Sequence, residues 1–436
     1  MKYFFPKTYL GGWSMEGVRK YARNTGWAFL GRIVTFAVSF FTIAIVVRYL
    51  GPEQYGQLSY AQNFVAIFSV FAVLGLDQIL YRELVANPEK RNILLGTSIV
   101  MKLVFGSLSF LVAVGVAYLT QSDQSLVWLV AIVSLTFIFQ PLGTIGHMFN
   151  AEVKTKYVTY VAFLVAFLLP AIRLFFVYRE KTVYAFAALL VFETLIYGAG
   201  YLWIYTKVFR FDPREWKMSL KLMIVLLKQS WPLALASLSG YIYGRIDQVM
   251  MQGMISSEAV GWYDVAVRIT ELLTFLPSVI IASLFPALVN SLKVGEGEYQ
   301  KRFKILSLTT ILITALSSLV AYIAASWLIP FIFGDSFVPS IGVLQIYVWS
   351  AVGTTCILLI QNHLIANHKQ RQFLYYSLMG ALLNVGLNMV LIPEMGMIGA
   401  ACATVLTLLV TAFVFIFFER KKIFISRRLN SRVKIQ

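Results

Sequence analysis

Apolar residues form long runs along this chain, separated by short segments that contain charges, glycine or proline. Runs of about 18 residues or more recur from Thr25 to Phe418, and a helix of that length crosses a hydrocarbon core of about 30 Å. The pattern therefore predicts an all-α membrane protein with about twelve transmembrane helices. Their predicted positions are 25–48, 58–80, 95–119, 125–149, 157–177, 183–205, 224–252, 262–291, 304–330, 340–366, 372–392 and 397–418.

Composition supports a chain that lies mostly within a membrane. Hydrophobic residues make up 59% of the sequence and charged residues 13%, with a mean hydropathy of +0.75. Soluble domains contain about 45–50% apolar and about 25% charged residues. The net charge of +17 does not indicate nucleic-acid binding, because the Lys and Arg residues occupy short segments between apolar runs and form no basic face.

Basic residues also predict the orientation, since cytoplasmic loops retain Lys and Arg. If the N-terminus is cytoplasmic, almost all loop cations fall on the cytoplasmic side. The opposite loops then hold only Arg48, Arg179 and Lys181. We therefore expect both termini to be cytoplasmic.

The two halves of the chain resemble each other at matching places. The segment from Tyr55 to Ala61, which contains Gly56, aligns with the segment from Val260 to Ala266, which contains Gly261. Each half has an even number of spans, which predicts two six-helix lobes related by a pseudo-two-fold axis along the membrane normal, with the substrate path between them. The predicted organisation is an N-terminal lobe (1–206), a cytoplasmic basic linker (207–223), a C-terminal lobe (224–418) and a basic cytoplasmic tail (419–436).

Several short motifs carry a family resemblance. They are Arg23-Asn24-Thr25 with Gly31, the run from Arg48 to Gly56, Gly75-Leu76 with Arg82-Glu83, Trp231-Pro232, Asp247, Gly261, Tyr263 and Ala266. Together they resemble the polysaccharide transporter family of the MOP (multidrug/oligosaccharidyl-lipid/polysaccharide) flippase superfamily, and in particular the Wzx-type O-antigen or capsule flippases. An acidic residue often precedes the Gly-Leu pair in that family, whereas here Asp77 follows it, which puts a family role for Asp77 in doubt.

The resemblance implies a flippase in the bacterial cytoplasmic (inner) membrane. Such proteins move undecaprenyl-pyrophosphate-linked repeat units from the cytoplasmic to the periplasmic leaflet by alternating access, through a central cavity between two six-helix lobes. The implied partners are the lipid-linked glycan, the bilayer and other assembly proteins such as the polymerase. No cofactor is implied beyond a possible coupling ion, either a proton or sodium.

Ten charged residues fall within the predicted spans, where a charge costs about 2.5–3.5 kcal/mol on insertion scales. We therefore expect each to form an ion pair or to line a hydrated cavity. The basic residues are Arg32, Lys102, Arg173, Arg245 and Arg268, and the acidic residues are Asp77, Glu193, Asp247, Asp264 and Glu271.

A pyrophosphate-linked glycan needs cations and hydrogen-bonding groups in a hydrated space. We therefore predict that four cations, Arg32, Lys102, Arg245 and Arg268, bind substrate in the central cavity. Asn384 and Asn388 are one helical turn apart and are predicted to contribute hydrogen bonds to it. The alternative is ion pairing for the cations and interhelical hydrogen bonding for the amides.

The acidic residues are candidates for ion coupling or structural pairing. Asp264, Arg268 and Glu271 have i, i+4 and i+7 spacing, so they share one face of a helix and can pair with each other. Glu193 and Asp247 are the candidates for proton or cation coupling. Four aromatic residues, Tyr241, Tyr243, Trp262 and Tyr263, can stack on sugars, although interface belts and packing are the commoner roles of such residues.

The sequence shows no nucleophile–base pattern, phosphate-binding loop or clustered metal ligands, so a transporter is favoured over an enzyme. The competing transporter function is a cation-coupled multidrug extruder of the same superfamily. An extruder of cationic compounds favours acidic and aromatic cavity linings, whereas the five cations within the spans favour an anionic substrate. A lipid II flippase is a third alternative, which is less favoured because that family has additional helices.

Overall fold

A computed structural model describes the backbone of residues 15–367 and 369–433, and the side chains of residues 38–417 except at 236, 243, 368 and 370. Within this part every regular element is helical, which confirms the all-α prediction. The α-helices of the described part are α1 (Met15–Val73), α2 (Leu76–Ala86), α3 (Arg91–Thr120), α4 (Gln124–Ser134), α5 (Thr136–Phe139), α6 (Thr144–Ala151), α7 (Thr155–Tyr178), α8 (Val183–Trp203), α9 (Leu220–Met254), α10 (Ser257–Ser291), α11 (Glu296–Phe333), α12 (Ser340–Tyr347), α13 (Ser350–Ala366) and α14 (Gln370–Val433).

Ten helical segments of the described chain are long and apolar enough to cross a membrane, so the protein is a multi-pass membrane protein. Two of them, Val38–Ala86 and Arg371–Phe417, contain 49 and 47 residues. A straight helix of that length would extend about 70 Å, more than twice the hydrocarbon thickness. Each of these two segments corresponds to a pair of predicted helices.

A glycine in the left-handed region interrupts each of these long segments. Gly51 in α1 has φ +71° and Gly396 in α14 has φ +59°, conformations that glycine adopts without the steric cost of a Cβ atom. In α14 the chain reverses at the break, because Asn384 Nδ2 lies 3.5 Å from Thr404 Oγ1, whereas these residues would be about 30 Å apart in a straight helix. The predicted helices 11 and 12 therefore form a hairpin. The total of twelve spans stays a prediction.

Two further predicted helices are interrupted. Predicted helix 2 breaks at Leu74 and Gly75, with φ of 56° and 65°, and a Cβ atom on Gly75 would lie 2.9 Å from the backbone nitrogen of Ala234 in α9. Predicted helix 4 divides into α4, α5 and α6, with a 3₁₀ turn at Gln140–Gly143. This turn contains Pro141, which has no N–H to continue the helical hydrogen bonds.

Packing divides the chain into a first unit, Met15–Gly261, and a second unit that contains Trp262–Gln436. Helix α9 packs within the first unit, where Ser59 Oγ donates to Gln248 Oε1 at 3.0 Å and Arg82 Nη2 donates to Gln229 Oε1 at 2.7 Å. The predicted lobe boundaries at 206 and 224 rest on the sequence repeat and stay a prediction.

The predicted linker is an ordered segment within the first unit. Helix α8 continues into a π-helical turn at Ile204–Val208, and α9 begins at Leu220, four residues earlier than predicted. Trp216 Nε1 donates to the Tyr205 hydroxyl at 2.9 Å, and the Arg91 guanidinium lies 3.7 Å from the centre of the Phe211 ring. These contacts hold the segment against the ends of α3 and α8.

Each unit has its own apolar clusters, while many large apolar side chains remain exposed. Leu95, Met148 and Phe149 are buried in the first unit, and Leu288 in the second. Leu119 is 83% exposed, as expected for a side chain that faces lipid.

Candidate functional site

A cavity of about 540 Å³, with both apolar and polar side chains in its wall, lies within the first unit. Helices α1, α4, α5, α8 and α9 and the 3₁₀ turn after α5 all contribute to its wall. The lining residues are Gln62, Val65, Ala66, Ser69, Val133, Thr136, Phe137, Gln140, Gly143, Leu190, Glu193, Thr194, Tyr197, Tyr201 and Tyr241.

Helices α1 and α8 contribute most of the lining, each through one face. On α8 the lining positions are 190, 193, 194, 197 and 201, and on α1 they are 62, 65, 66 and 69. Positions three and four residues apart lie on one face of a helix, so each helix presents a single partly polar stripe to the cavity.

The interrupted fourth predicted helix forms another part of the wall. Thr136 and Gln140 line the cavity from α5 and from the 3₁₀ turn. Two close approaches hold this segment. A Cβ atom on Gly106 of α3 would lie 2.6 Å from the Phe137 carbonyl oxygen, and one on Gly198 of α8 would lie 2.8 Å from the Leu142 Cβ atom.

Glu193 is the acidic residue of the cavity wall. Its Oε2 atom lies 3.9 Å from Arg173 Nη2, and the two side chains are 34% and 16% exposed. The sequence predicts an ion pair or a hydrated cavity for each charge within a span, and Arg173 and Glu193 form an ion pair. Among the lining residues that the structure describes, none is Lys or Arg.

Lys102 lies apart from this lining, in an ion pair. Its side chain is 4% exposed and its Nζ atom contacts Asp77 Oδ1, which also lies 3.2 Å from His147 Nε2. Asp77, whose family role the sequence left in doubt, thus joins α2 to α3 and α6. Substrate binding by Lys102 stays a prediction, and in this conformation the ammonium group is buried.

The structure brings Arg268 and Asp264 together on α10, with Nε and Oδ2 2.7 Å apart, as their i, i+4 spacing predicts. Asp264 is buried, whereas Glu271 is exposed. The substrate-binding role of Arg268 stays a prediction.

Arg245 and Asp247 both lie on α9. Arg245 is half-buried and Asp247 is 1% exposed. Position 245 is one helical turn from the cavity residue Tyr241, so both lie on the same face of α9. The predicted role of Arg32 concerns its side chain, which lies outside the part of the chain whose side chains the structure describes.

Asn384 and Asn388 are fully buried in the α14 hairpin. Asn388 Nδ2 donates to Asn384 Oδ1 at 3.0 Å, and Asn384 Nδ2 lies 3.5 Å from the hydroxyls of Thr404 and Thr407. This geometry matches the interhelical hydrogen bonding that the sequence left open. Neither amide is accessible in this conformation, and their substrate-binding role stays a prediction.

Sequence reasoning missed most of the cavity residues. It named Glu193 and Tyr241 but not Gln62, Gln140 or Thr194. The available signal was the polar stripe at i, i+3 and i+4 spacing within apolar helices, which a search restricted to charged residues does not detect.

Solved structures of membrane transporters share this fold. An inward-facing multidrug resistance MATE family transporter of the MOP superfamily has a TM-score of 0.72 and 14% identity, covering 90% of this chain and 95% of that one. The lipid II flippase MurJ, in an inward closed conformation, has a TM-score of 0.69 and 15% identity, covering 89% and 87%. A MOP superfamily transporter from Pyrococcus furiosus has a TM-score of 0.59 and 13% identity, covering 89% and 93%.

The architecture is therefore that of a multi-pass helical membrane protein with the MOP superfamily fold. The family model described as "Polysaccharide biosynthesis protein" matches residues 21–292, more than half of the chain. The chain belongs to this polysaccharide biosynthesis protein family. Among curated protein sequences, none matches this chain significantly.

Proposed function

We propose that this protein flips undecaprenyl-pyrophosphate-linked oligosaccharide repeat units from the cytoplasmic to the periplasmic leaflet for O-antigen or capsule biosynthesis. The observation that carries the proposal is the family match over residues 21–292, a range that contains every residue lining the first-unit cavity. The fold shared with the lipid II flippase MurJ supports transport of a lipid-linked cargo.

The physical problem for such a transporter is the polar head of its cargo. Sugar hydroxyls and a diphosphate lose their hydrogen bonds in hydrocarbon, at a cost of several kcal/mol for each unsatisfied group. Polar side chains inside a helical bundle supply substitute partners for these groups while the polyprenyl tail stays in lipid. Alternating access would then expose those side chains to each side in turn.

The further details of the proposal come from the sequence. We place the protein in the bacterial inner membrane with both termini cytoplasmic, acting as a transporter without chemical change to the cargo. Glu193 and Asp247 are the proposed sites of proton or sodium coupling. Arg32, Arg245 and Arg268 are proposed to meet the diphosphate, and the polymerase is a proposed partner.

The second candidate function is a cation-coupled multidrug extruder. It is favoured by one observation, the carboxylate and three tyrosines that line the first-unit cavity, because acidic and aromatic linings suit cationic drugs. The fold is shared equally with MATE transporters and does not separate the two functions.

Complementation separates the two candidate functions. A strain that lacks its own repeat-unit flippase is expected to regain surface polysaccharide when it expresses this chain, with unchanged drug susceptibility. Increased drug resistance without polysaccharide would establish the extruder instead.

Replacing Arg32, Arg245 or Arg268 by Ala is expected to reduce display of surface polysaccharide at normal protein levels. Full display by all three variants would contradict cationic binding of the cargo.

A further inference from the structure

The first-unit cavity has a composition that differs from what a diphosphate requires. A diphosphate diester is an anion that proteins hold with Arg, Lys or clustered backbone N–H groups. The described lining contains Glu193 and no Lys or Arg, and the nearby guanidinium of Arg173 is already 3.9 Å from the Glu193 carboxylate. The Glu193 carboxylate offsets the charge of Arg173, so the pair attracts an anion less than an unpaired guanidinium would.

The same lining suits uncharged sugars. Gln62 and Gln140 each present an amide that can donate and accept, Thr194 adds a hydroxyl, and Glu193 adds acceptor oxygens. Tyr197 and Tyr241 add aromatic rings, which can pack against the C–H face of a sugar while their hydroxyls form hydrogen bonds.

Size and access also fit. The volume of about 540 Å³ lies within the range of about 300–1,000 Å³ that is typical of small-molecule sites. Tyr241 is 39% exposed, so part of its side chain is available for contact with a ligand.

We infer that this cavity is the subsite for the uncharged sugar residues of the cargo, and that the diphosphate binds outside it. This inference rests on the proposed function and fixes which part of the cargo enters the first unit. Recognition of the sugars therefore belongs to the stripes on α1 and α8, which include Gln62 and Thr194, and to Tyr241 of α9.

The test measures binding of two separate parts of the cargo to the full-length protein in nanodiscs. One probe is the oligosaccharide released from the lipid-linked fraction of the source organism by mild acid and freed of phosphate. The other probe is undecaprenyl diphosphate without sugar. Tyr241→Leu and Glu193→Gln are each expected to weaken oligosaccharide binding by about tenfold, since each leaves sugar groups without partners. Binding of undecaprenyl diphosphate should change by less than about twofold.

Matched controls come from the second unit. Tyr322, 40% exposed, matches Tyr241, and Glu298, paired with Arg302, matches Glu193. Tyr322→Leu and Glu298→Gln are expected to leave binding of both probes unchanged. Because Glu193→Gln also removes the partner of Arg173, Thr194→Val serves as a second polar variant that leaves this pair intact, with an expected loss of roughly threefold.

Three results would overturn the inference. They are failure of the released oligosaccharide to bind the wild-type protein, equal binding of it by the wild-type protein and the cavity variants, and parallel weakening of undecaprenyl diphosphate binding. Flipping of the intact cargo in proteoliposomes is measured separately. If the protein flips the cargo but its cavity does not bind the oligosaccharide, the subsite is rejected and the proposed function stands. If the cavity binds the oligosaccharide but the protein does not flip the cargo, the proposed function is rejected.

Discussion

At the scale of single residues, the charges within the spans are held mainly by close partners. The buried Lys102 contacts Asp77, which also contacts His147, and Arg268 pairs with Asp264 one turn away. A lone charge in the membrane interior is costly, so each contact offsets part of the cost of placing its members there. The sequence located these charges, but only the packing of α2, α3 and α6 shows which carboxylate meets Lys102.

The Lys102–Asp77 pair gives a stability prediction. Asp77→Asn leaves an ammonium group without its counter-ion and should lower the free energy of unfolding by about 3 kcal/mol. Lys102→Met should cost less, because the remaining carboxylate is 33% exposed and keeps His147. The double variant should recover most of the loss. Equilibrium unfolding in mixed micelles measures this cycle, and purely additive losses would show that the pair is not coupled.

The α14 hairpin gives a second prediction at this scale. Asn384→Leu should reduce stability by about 1 kcal/mol and leave the transport rate per folded molecule within twofold, because the amide bonds Thr404 and Thr407 across the hairpin. Thr407→Val should behave similarly. Thr411→Val is the matched control, since its buried hydroxyl has no hydrogen-bond partner in the described structure. A large transport defect with normal stability would instead support substrate contact by Asn384.

At the scale of elements, breaks and close approaches of helices shape the molecule. The two glycines that align in the sequence repeat, Gly56 and Gly261, pack against each other within the first unit. A Cβ atom on Gly56 would overlap the Ser257 carbonyl oxygen, and one on Gly261 would overlap that of Pro52. The repeat thus marks a close contact between helices, in which there is room for the hydrogen atom of glycine but not for a larger side chain.

This contact predicts a strong effect of a single methyl group. Gly56→Ala and Gly261→Ala should each destabilise the protein by about 3 kcal/mol or more, because the backbone carbonyls cannot move aside as a flexible side chain can. Gly240→Ala on α9 is the control, since no atom lies within 4 Å of its added Cβ, and it should be neutral or stabilising by up to about 1 kcal/mol. Thermal unfolding in detergent compares the three, and equal midpoints would contradict the tight contact.

At the scale of the whole molecule, the distribution of Lys and Arg sets the predicted orientation. Alternate connections are rich in cations, and the others hold only Arg48, Arg179 and Lys181. From α3 to α13 most helix ends lie within five residues of the predicted positions, whereas α11 begins at Glu296, eight residues before its predicted start at 304. Orientation itself depends on retention of positive loops on the cytoplasmic side during insertion.

Reporter fusions test this orientation directly. A reporter fused after Glu258 should be active on the periplasmic side, and one fused after Glu296 should be active in the cytoplasm. The first site lies in the first turn of α10, which is one candidate span, Ser257–Ser291, and the second site follows its end. The reverse pattern would invert the topology, and equal signals at both sites would remove α10 as a span.

The sequence by itself determined the helices, the charges that lie within them and the family. Runs of apolar residues long enough to cross a membrane have few alternatives to a helix, because backbone groups in lipid must bond within their own segment.

The tertiary structure decided which of those residues meet. Helix α9, assigned by sequence to the C-terminal lobe, packs with the first unit, and the linker is held by Tyr205 and Arg91. The cavity combines stripes from α1 and α8 with Tyr241 of α9, and these lie far apart in the chain. Its uncharged polar residues, such as Gln62 and Thr194, were not among the charged residues that the sequence singled out. Such a site depends on the packing of whole helices, which spacing along one helix cannot specify.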